Sequence, residues 1–322
     1  MLHPVSEPYD KGWLDVGQGH RIRYEQSGRR DGIPALYLHG GPGSGCSPRQ
    51  RALFNPALYR VVMFDQRGCG LSTPAGETRH NHTDALISDI ETLRAHLNID
   101  RWLVFGGSWG ATLAALYAAR HAGACSGVLM RGLFLAGRAD IEWFFHGAAA
   151  LAPVAHERFL QSLPARWRRR VVEALARTFA SGDRQRIETA TQAWRDWEHA
   201  LGTWPAHDTL PAPTGDELAA LGNRYRIQSH YLQHRCFTSE AKVLDAIARL
   251  RGLPVAFVHG TRDMVCRPQN AWRAHRTLSG SALFWAHDAG HDPYQPASLA
   301  AIDAALSAFA RDGVFPAASG ME

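Results

Sequence analysis

Gly106-Gly107-Ser108-Trp109-Gly110 stands between the apolar run Trp102-Leu103-Val104-Phe105 and a stretch of good helix formers, Ala111-Thr112-Leu113-Ala114-Ala115-Leu116-Tyr117-Ala118-Ala119. The run before it is short, apolar and strand-like. The run after it is helical by propensity. A serine between them, flanked at two positions by glycine, has the G-x-S-x-G pattern of a nucleophile elbow, where a sharp strand-to-helix turn presents the hydroxyl. Such a turn strains the serine backbone and tolerates only small neighbours, which Gly106 and Gly110 supply. The helix that follows directs its free N–H groups toward developing negative charge. Without those flanks the same five residues would be an ordinary glycine-rich turn with an incidental serine.

Residues 13–26 alternate around Gly17-Gln18-Gly19 and read as an N-terminal hairpin. Four short apolar strands follow at helix-plus-strand intervals: Ala35–His39, Arg60–Asp65, Trp102–Gly106 and Ser126–Met130. Thr83–Leu97 carries helical apolar spacing at Leu86, Ile90, Leu93 and Leu97. This alternation predicts an α/β fold with a mostly parallel central sheet covered by helices on both faces. The alternation stops after Gly137. To about Glu240 the chain reads helical and holds Trp143, Trp167, Trp194, Trp197 and Trp204, half of its ten tryptophans. Core packing between helices accounts for most of these rings. Strands resume at Pro254–Gly260 and Ala282–Ala286, and Ala297–Arg311 closes the chain as a helix. The organisation expected is a sheet domain from residues 1–136 and 241–322, with 137–240 inserted as a helical cap.

A serine hydroxyl becomes nucleophilic when a base takes its proton, and the base is usually a histidine oriented by a buried carboxylate. On a strand–elbow–helix scaffold the chain order is Ser, then Asp or Glu, then His. Asp263 lies just past the strand 254–260, and His291 follows Gly290 in the loop after 282–286. Position therefore selects Ser108, Asp263 and His291 as the catalytic set, with His287 and His259 as competitors for the base. Two oxyanion donors are also needed. The Trp109 amide follows the nucleophile, and the loop His39-Gly40-Gly41-Pro42-Gly43 follows the first central strand. Gly41 N–H is the second donor, with Gly40 as the alternative. Asp65, in Asp65-Gln66-Arg67-Gly68-Cys69-Gly70-Leu71-Ser72, precedes Ser108 and reads as a loop organiser that pairs with backbone or with Arg67.

Composition excludes several other classes. The chain has 322 residues, 45% hydrophobic and 20% charged, which is ordinary for a globular protein. Its net charge of +5 and pI near 9.1 come almost wholly from arginine, since Lys11 and Lys242 are the only lysines. The densest cluster, Arg166 with Arg168, Arg169 and Arg170, reads as a solvated helix face, so nucleic acid is not an expected partner. Cys46, Cys69, Cys125, Cys236 and Cys266 are scattered and odd in number, without C-x-x-C or metal-ligand spacing, which fits free thiols in a reducing compartment. No metal site, phosphate-binding loop or dinucleotide fingerprint occurs, so no cofactor is expected. The N-terminus lacks a basic region followed by an apolar one, and no apolar stretch is long enough to span a bilayer. A cytoplasmic protein without membrane association is the expectation.

Together, His39-Gly40-Gly41-Pro42-Gly43, Asp65-Gln66-Arg67-Gly68-Cys69-Gly70-Leu71-Ser72, Gly106-Gly107-Ser108-Trp109-Gly110, Gly260-Thr261-Arg262-Asp263 and Gly290-His291 resemble the proline iminopeptidase family of α/β hydrolases. Arg131-Gly132-Leu133-Phe134-Leu135 and Trp143-Phe144-Phe145 are similar to the family's cap entry, and the similarity runs from about residue 8 to 310. The resemblance implies an α/β-hydrolase fold with an inserted cap. It implies release of N-terminal proline from small peptides through an acyl-enzyme, without metal. It carries the catalytic roles to Ser108, Asp263 and His291, and substrate contact to Phe134. It also implies recognition of the free amino end by two cap glutamates. The first is matched by Glu198 in Trp197-Glu198. At the second, in Arg226-Ile227-Gln228-Ser229-His230-Tyr231-Leu232, this chain has Gln228 instead of glutamate and Leu232 instead of phenylalanine.

Three functions compete on these residues. The leading one is a serine aminopeptidase for N-terminal proline or a small residue. The second is a serine esterase or amidase whose substrate lacks a free amine. The third is a non-catalytic ligand-binding protein of the same fold, which a complete triad and oxyanion loop disfavour. Gln228 weakens an amine anchor built on Glu198, because an amide accepts a hydrogen bond but brings no charge. Glu198 could instead pair with a cap arginine such as Arg195.

Overall fold

The computed structural model describes residues 2–205 and 210–316. Trp102–Gly107 (β5) forms the centre of an eight-stranded sheet with Asp10–Asp15 (β1), Arg21–Gly28 (β2), Ile33–Leu38 (β3), Tyr59–Phe64 (β4), Cys125–Arg131 (β6), Val255–Gly260 (β7) and Ala282–Ala286 (β8). The order is β1-β2-β4-β3-β5-β6-β7-β8. β1 with β2 and β2 with β4 are antiparallel, and every later pairing is parallel. The expected hairpin is the β1–β2 pair.

Alternation within the apolar strands explains why they carry almost no polar residues. Leu36 and Leu38, Val62 and Phe64, and Trp102 and Val104 face one core. Ala35 and Tyr37, Val61 and Met63, and Leu103 and Phe105 face the other. A strand covered on both faces is apolar at every position. Thr83–His96 (α1) and Trp109–Arg120 (α2) pack into the first core, and Pro296–Asp312 (α10) into the second. Pro268–Thr277 (α9) separates β7 from β8.

Between β6 and β7 the chain forms Arg138–Phe145 (α3), Pro153–Gln161 (α4), Val171–Ala180 (α5), Arg184–Gly202 (α6), Gly215–Gln233 (α7) and Glu240–Ala248 (α8). Trp194 and Trp197 of α6 are fully buried, and Trp194 stacks on Tyr225 of α7 with ring centroids 4.5 Å apart. Such a pair adds about 0.5–1.5 kcal/mol beyond area burial. α7 begins with a capping box, in which the Thr214 hydroxyl accepts from Glu217 N–H and the Glu217 carboxylate accepts from Thr214 N–H.

Two sequence expectations need correction. No α-helix joins β3 to β4. The glycine-rich loop after β3 takes up that interval and leaves room only for a 3-10 turn at Pro48–Leu53. The arginine cluster is not a helix face. It lies on a 3-10 turn, Ala165–Trp167, and the approach to α5, where Arg170 and Arg177 lie over the Trp167 ring at 5.1 and 4.6 Å. Asp65 organises its loop through backbone alone, accepting from the amides of Cys46 at 2.6 Å and Leu71 at 2.8 Å. Arg67 instead forms a two-pronged pair with buried Asp89 of α1, at 2.7 and 2.8 Å.

Candidate active site

The parallel strands end on one edge of the sheet, where loops can present side chains to a common space. Ser108 lies between β5 and α2 with φ 56° and ψ −121°. Non-glycine residues hold such a conformation at a cost of about 1–3 kcal/mol, usually at functional positions. The turn is tight because its neighbours lack side chains. A Cβ on Gly106 would collide with the Gly110 carbonyl, and one on Gly110 with the Leu38 carbonyl of β3. The Ser108 amide is tied to Arg131 O of β6 at 2.8 Å.

Asp263 follows β7 and His291 follows β8. His291 Nδ1 meets Asp263 Oδ2 at 2.7 Å. The other carboxylate oxygen accepts from the amides of Val265 at 3.0 Å and Cys266 at 2.8 Å. Burial alone would raise the Asp263 carboxyl, but His291 and His259 outweigh it and hold it far below the usual carboxylate range. Because an ionised carboxylate only accepts, Nδ1 carries the ring proton and Nε2 is left with its lone pair. His291 and Ser108 line the same cavity. No hydrogen bond within 3.5 Å joins them in this conformation, and the Ser108 hydroxyl lies 3.8 Å from Cys266 Sγ. Contacts of this type commonly tighten when substrate is in place.

The competing histidines lie elsewhere. His287 is exposed. His259 is fully buried behind Asp263, 3.4 Å from Oδ2, and contacts Cys266 O at 2.8 Å. Trp109 is the first residue of α2, whose leading amides have no partner within the helix. Its indole donates to Gln66 Oε1 at 3.1 Å and holds the elbow against the Asp65–Ser72 loop. Gly40 and Gly41 line the cavity beside Ser108, and a Cβ on Gly40 would stand 3.2 Å from Ser108 Cβ.

The cavity, about 520 Å³, extends from Ser108 and His291 to Phe134, Phe144 and Phe145, and then to Glu198 of α6 and Gln228 of α7. The strand-end loops and the helices between β6 and β7 thus enclose one space. Glu198 is not paired with Arg195, which donates to Pro211 O at 2.9 Å. Its Oε2 accepts from Arg224 Nη2 at 2.8 Å and Tyr225 OH at 2.9 Å, and its Oε1 from Gln228 Nε2 at 3.1 Å. The Gln228 Oε1 is buried without a partner. Arg224 is the residue that the sequence reading missed. Its spacing of four from Gln228 on a helix, which puts both side chains on one face, was the available signal. Among the described residues, no group of three or more His, Cys, Asp or Glu side chains could hold a metal ion, and no helix is long and apolar enough to cross a membrane.

Residues 34–295 match the family model for the alpha/beta hydrolase fold. A probable proline iminopeptidase of Leptolyngbya boryana is 40% identical over 311 residues, 96% of this chain and 97% of that one. A proline iminopeptidase of Xanthomonas citri is 39% identical over 312 residues, covering 96% and 99%. Among solved structures, that of VinJ superposes with a TM-score of 0.71 at 18% identity, covering 96% of this chain and 100% of that one, which speaks for the fold alone.

Proposed function

The chain belongs to the proline iminopeptidase family of α/β hydrolases, and from that premise we propose that it releases N-terminal proline from small peptides through an acyl-enzyme. The observation that carries this reading is the single cavity that Ser108 and His291 share with Glu198 and Gln228. A nucleophile with its base and a carboxylate able to accept from an N-terminal nitrogen lie in one space of about 520 Å³, walled by phenylalanine rings that suit a proline ring. The segment 137–240 acts on this reading as the cap domain over the sheet domain 1–136 and 241–322. Its support is that α6 and α7 supply the far wall of the cavity.

In the first half-reaction His291 Nε2 takes the Ser108 proton as Oγ adds to the prolyl carbonyl carbon. The amides of Trp109 and Gly41 stabilise the resulting oxyanion. Collapse breaks the scissile C–N bond, and the imidazolium returns its proton to the departing amine. Water then loses a proton to His291 and attacks the prolyl ester, which frees proline and restores the Ser108 hydroxyl. Asp263 orients the ring and stabilises its charged form without taking the proton. Nothing in this sequence of steps requires a cofactor. A cytoplasmic setting belongs to the same reading and is supported by the unpaired state of all five cysteines.

Turnover of a proline arylamide, compared with its N-acetylated form, tests the proposal. Faster hydrolysis of the free-amine compound is expected. Preference for the acetylated compound would replace the aminopeptidase with an amidase on the same scaffold.

A further inference from the structure

The amino-end subsite contains a charge that its sequence motif does not announce. Glu198 is the carboxylate that would meet an N-terminal nitrogen, and the Arg224 guanidinium already lies on its Oε2 at 2.8 Å. With Tyr225 OH on the same oxygen and Gln228 Nε2 on the other, three donors occupy the carboxylate. A carboxylate offers about four acceptor sites, so one remains open on the Oε1 side. One N–H from a ring nitrogen can use it. The negative charge, however, is not free, because a guanidinium stays protonated in proteins.

The rest of the cavity does not restore that charge. Asp140, on α3, accepts from Arg267 and Asn270 at 3.0 Å each and from the Leu135 amide at 2.9 Å. Asp292 is an exposed residue after β8, with the Tyr294 amide on its Oδ1 at 3.0 Å. The remaining charged or titratable lining is Tyr37, Arg131, His199, Cys266, Tyr294 and His291 itself, none of which adds a carboxylate.

We propose that Arg224 is a specificity-determining residue that offsets the charge of Glu198, so that the amino-end subsite does not discriminate between a charged and an uncharged N-terminal group. This rests on the aminopeptidase reading of the cavity. The substrate class is then amides of proline together with amides of five-membered-ring acids that carry no amine. An ammonium set against Glu198 Oε1 meets attraction from the carboxylate and repulsion from the adjacent guanidinium, and the two largely offset. A neutral N–H or a methylene meets neither. Gln228 acts in the same direction, since its amide adds no charge to the wall.

Prolyl arylamide and cyclopentanecarbonyl arylamide share ring size and scissile bond and differ at one ring atom. At neutral pH most of the proline amine is protonated. Wild type is expected to show kcat/KM values for the two within about ten-fold of each other. Arg224→Met is expected to raise the prolyl-to-cyclopentanecarbonyl ratio by about ten-fold, and the ratio cancels any loss common to both substrates. Arg224→Lys keeps the charge and should keep the wild-type ratio, a rescue that a purely structural role for the guanidinium would not produce. Strong turnover of prolyl arylamide with a ratio that Arg224→Met leaves unchanged or lowers overturns the proposal and leaves the aminopeptidase reading standing. Turnover of the cyclopentane compound alone overturns both, since a subsite whose charges offset would accept the prolyl compound as well. Turnover of neither removes both.

Discussion

Ser108 is held in its unusual conformation by what surrounds it rather than by its own side chain. Its amide bonds Arg131 O, and the Gly106 and Gly110 backbones close around it. Removing the hydroxyl therefore leaves those constraints in place. Ser108→Ala should lower kcat/KM by about 10⁴-fold or more while shifting stability by less than about 0.5 kcal/mol. Arylamide kinetics and a denaturant titration check the two halves, and a fluorophosphonate probe should label wild type and not the variant. The pH response follows from the Asp263 carboxyl, which is held far below its usual range. A depressed acid contributes stability that is present above its unfolded pKa, near ~4, and is lost only as pH falls through the folded value. Asp263 is thus ionised wherever the protein is folded and gives kcat/KM no acid limb. The limb that remains belongs to imidazole, which must be neutral to accept the serine proton. A kcat/KM profile that is flat from neutral pH down to the carboxylate range, with chemistry rate-limiting, would contradict this.

At the scale of elements, the site depends on two junctions. The first is the Asp65–Ser72 loop, pinned to α1 by Arg67 and Asp89, whose side chains are 3% and 2% exposed. Arg67 also donates to Gln18 Oε1, His80 O and Val16 O, so the guanidinium is fully engaged. Removing one partner of a buried pair leaves an uncompensated charge. Asp89→Ala is therefore expected to cost about 3–5 kcal/mol, read from urea midpoints, whereas exposed pairs such as Arg184–Glu188 should contribute little. The second junction is α6 against α7, where Trp194 stacks on Tyr225 and Glu198 is held by Arg224, Tyr225 and Gln228. Glu198→Gln should raise KM for prolyl arylamide, and Gln228→Glu should lower it by about ten-fold by restoring negative charge. If neither changes KM, these helices do not bind the amino end.

At the scale of the whole molecule, the cavity exists because the chain leaves the sheet after β6, folds α3 to α8 among the described residues and returns at β7. On the proposed reading the chemistry comes from strand ends and the recognition surface from α6 and α7, which line the same cavity. The mechanism proposed for Ser108, His291 and Asp263 has no step that needs a metal, so dialysis against EDTA should leave arylamide turnover unchanged. Loss of activity restored by a divalent ion would refute that. Much of this arrangement was legible in the sequence, because its signals are local. Gly106 and Gly110 announce the elbow by what they lack, and the apolar runs around 35–38 and 102–105 mark strands buried on both faces. The residues after those strands are the ones that a common sheet edge brings together, which is why Asp263 and His291 could be chosen from position. What the sequence did not reveal lies in contacts between distant segments. Nothing near Arg67 indicates that its partner is Asp89 rather than Asp65, and nothing near Glu198 names Arg224. A side chain's nearest neighbours in sequence are set by covalent geometry, but the charge that compensates it is set by which elements pack. The elbow and its strand-end partners were therefore determined along the chain, whereas the charge beside Glu198 was decided only when α7 came to lie against α6.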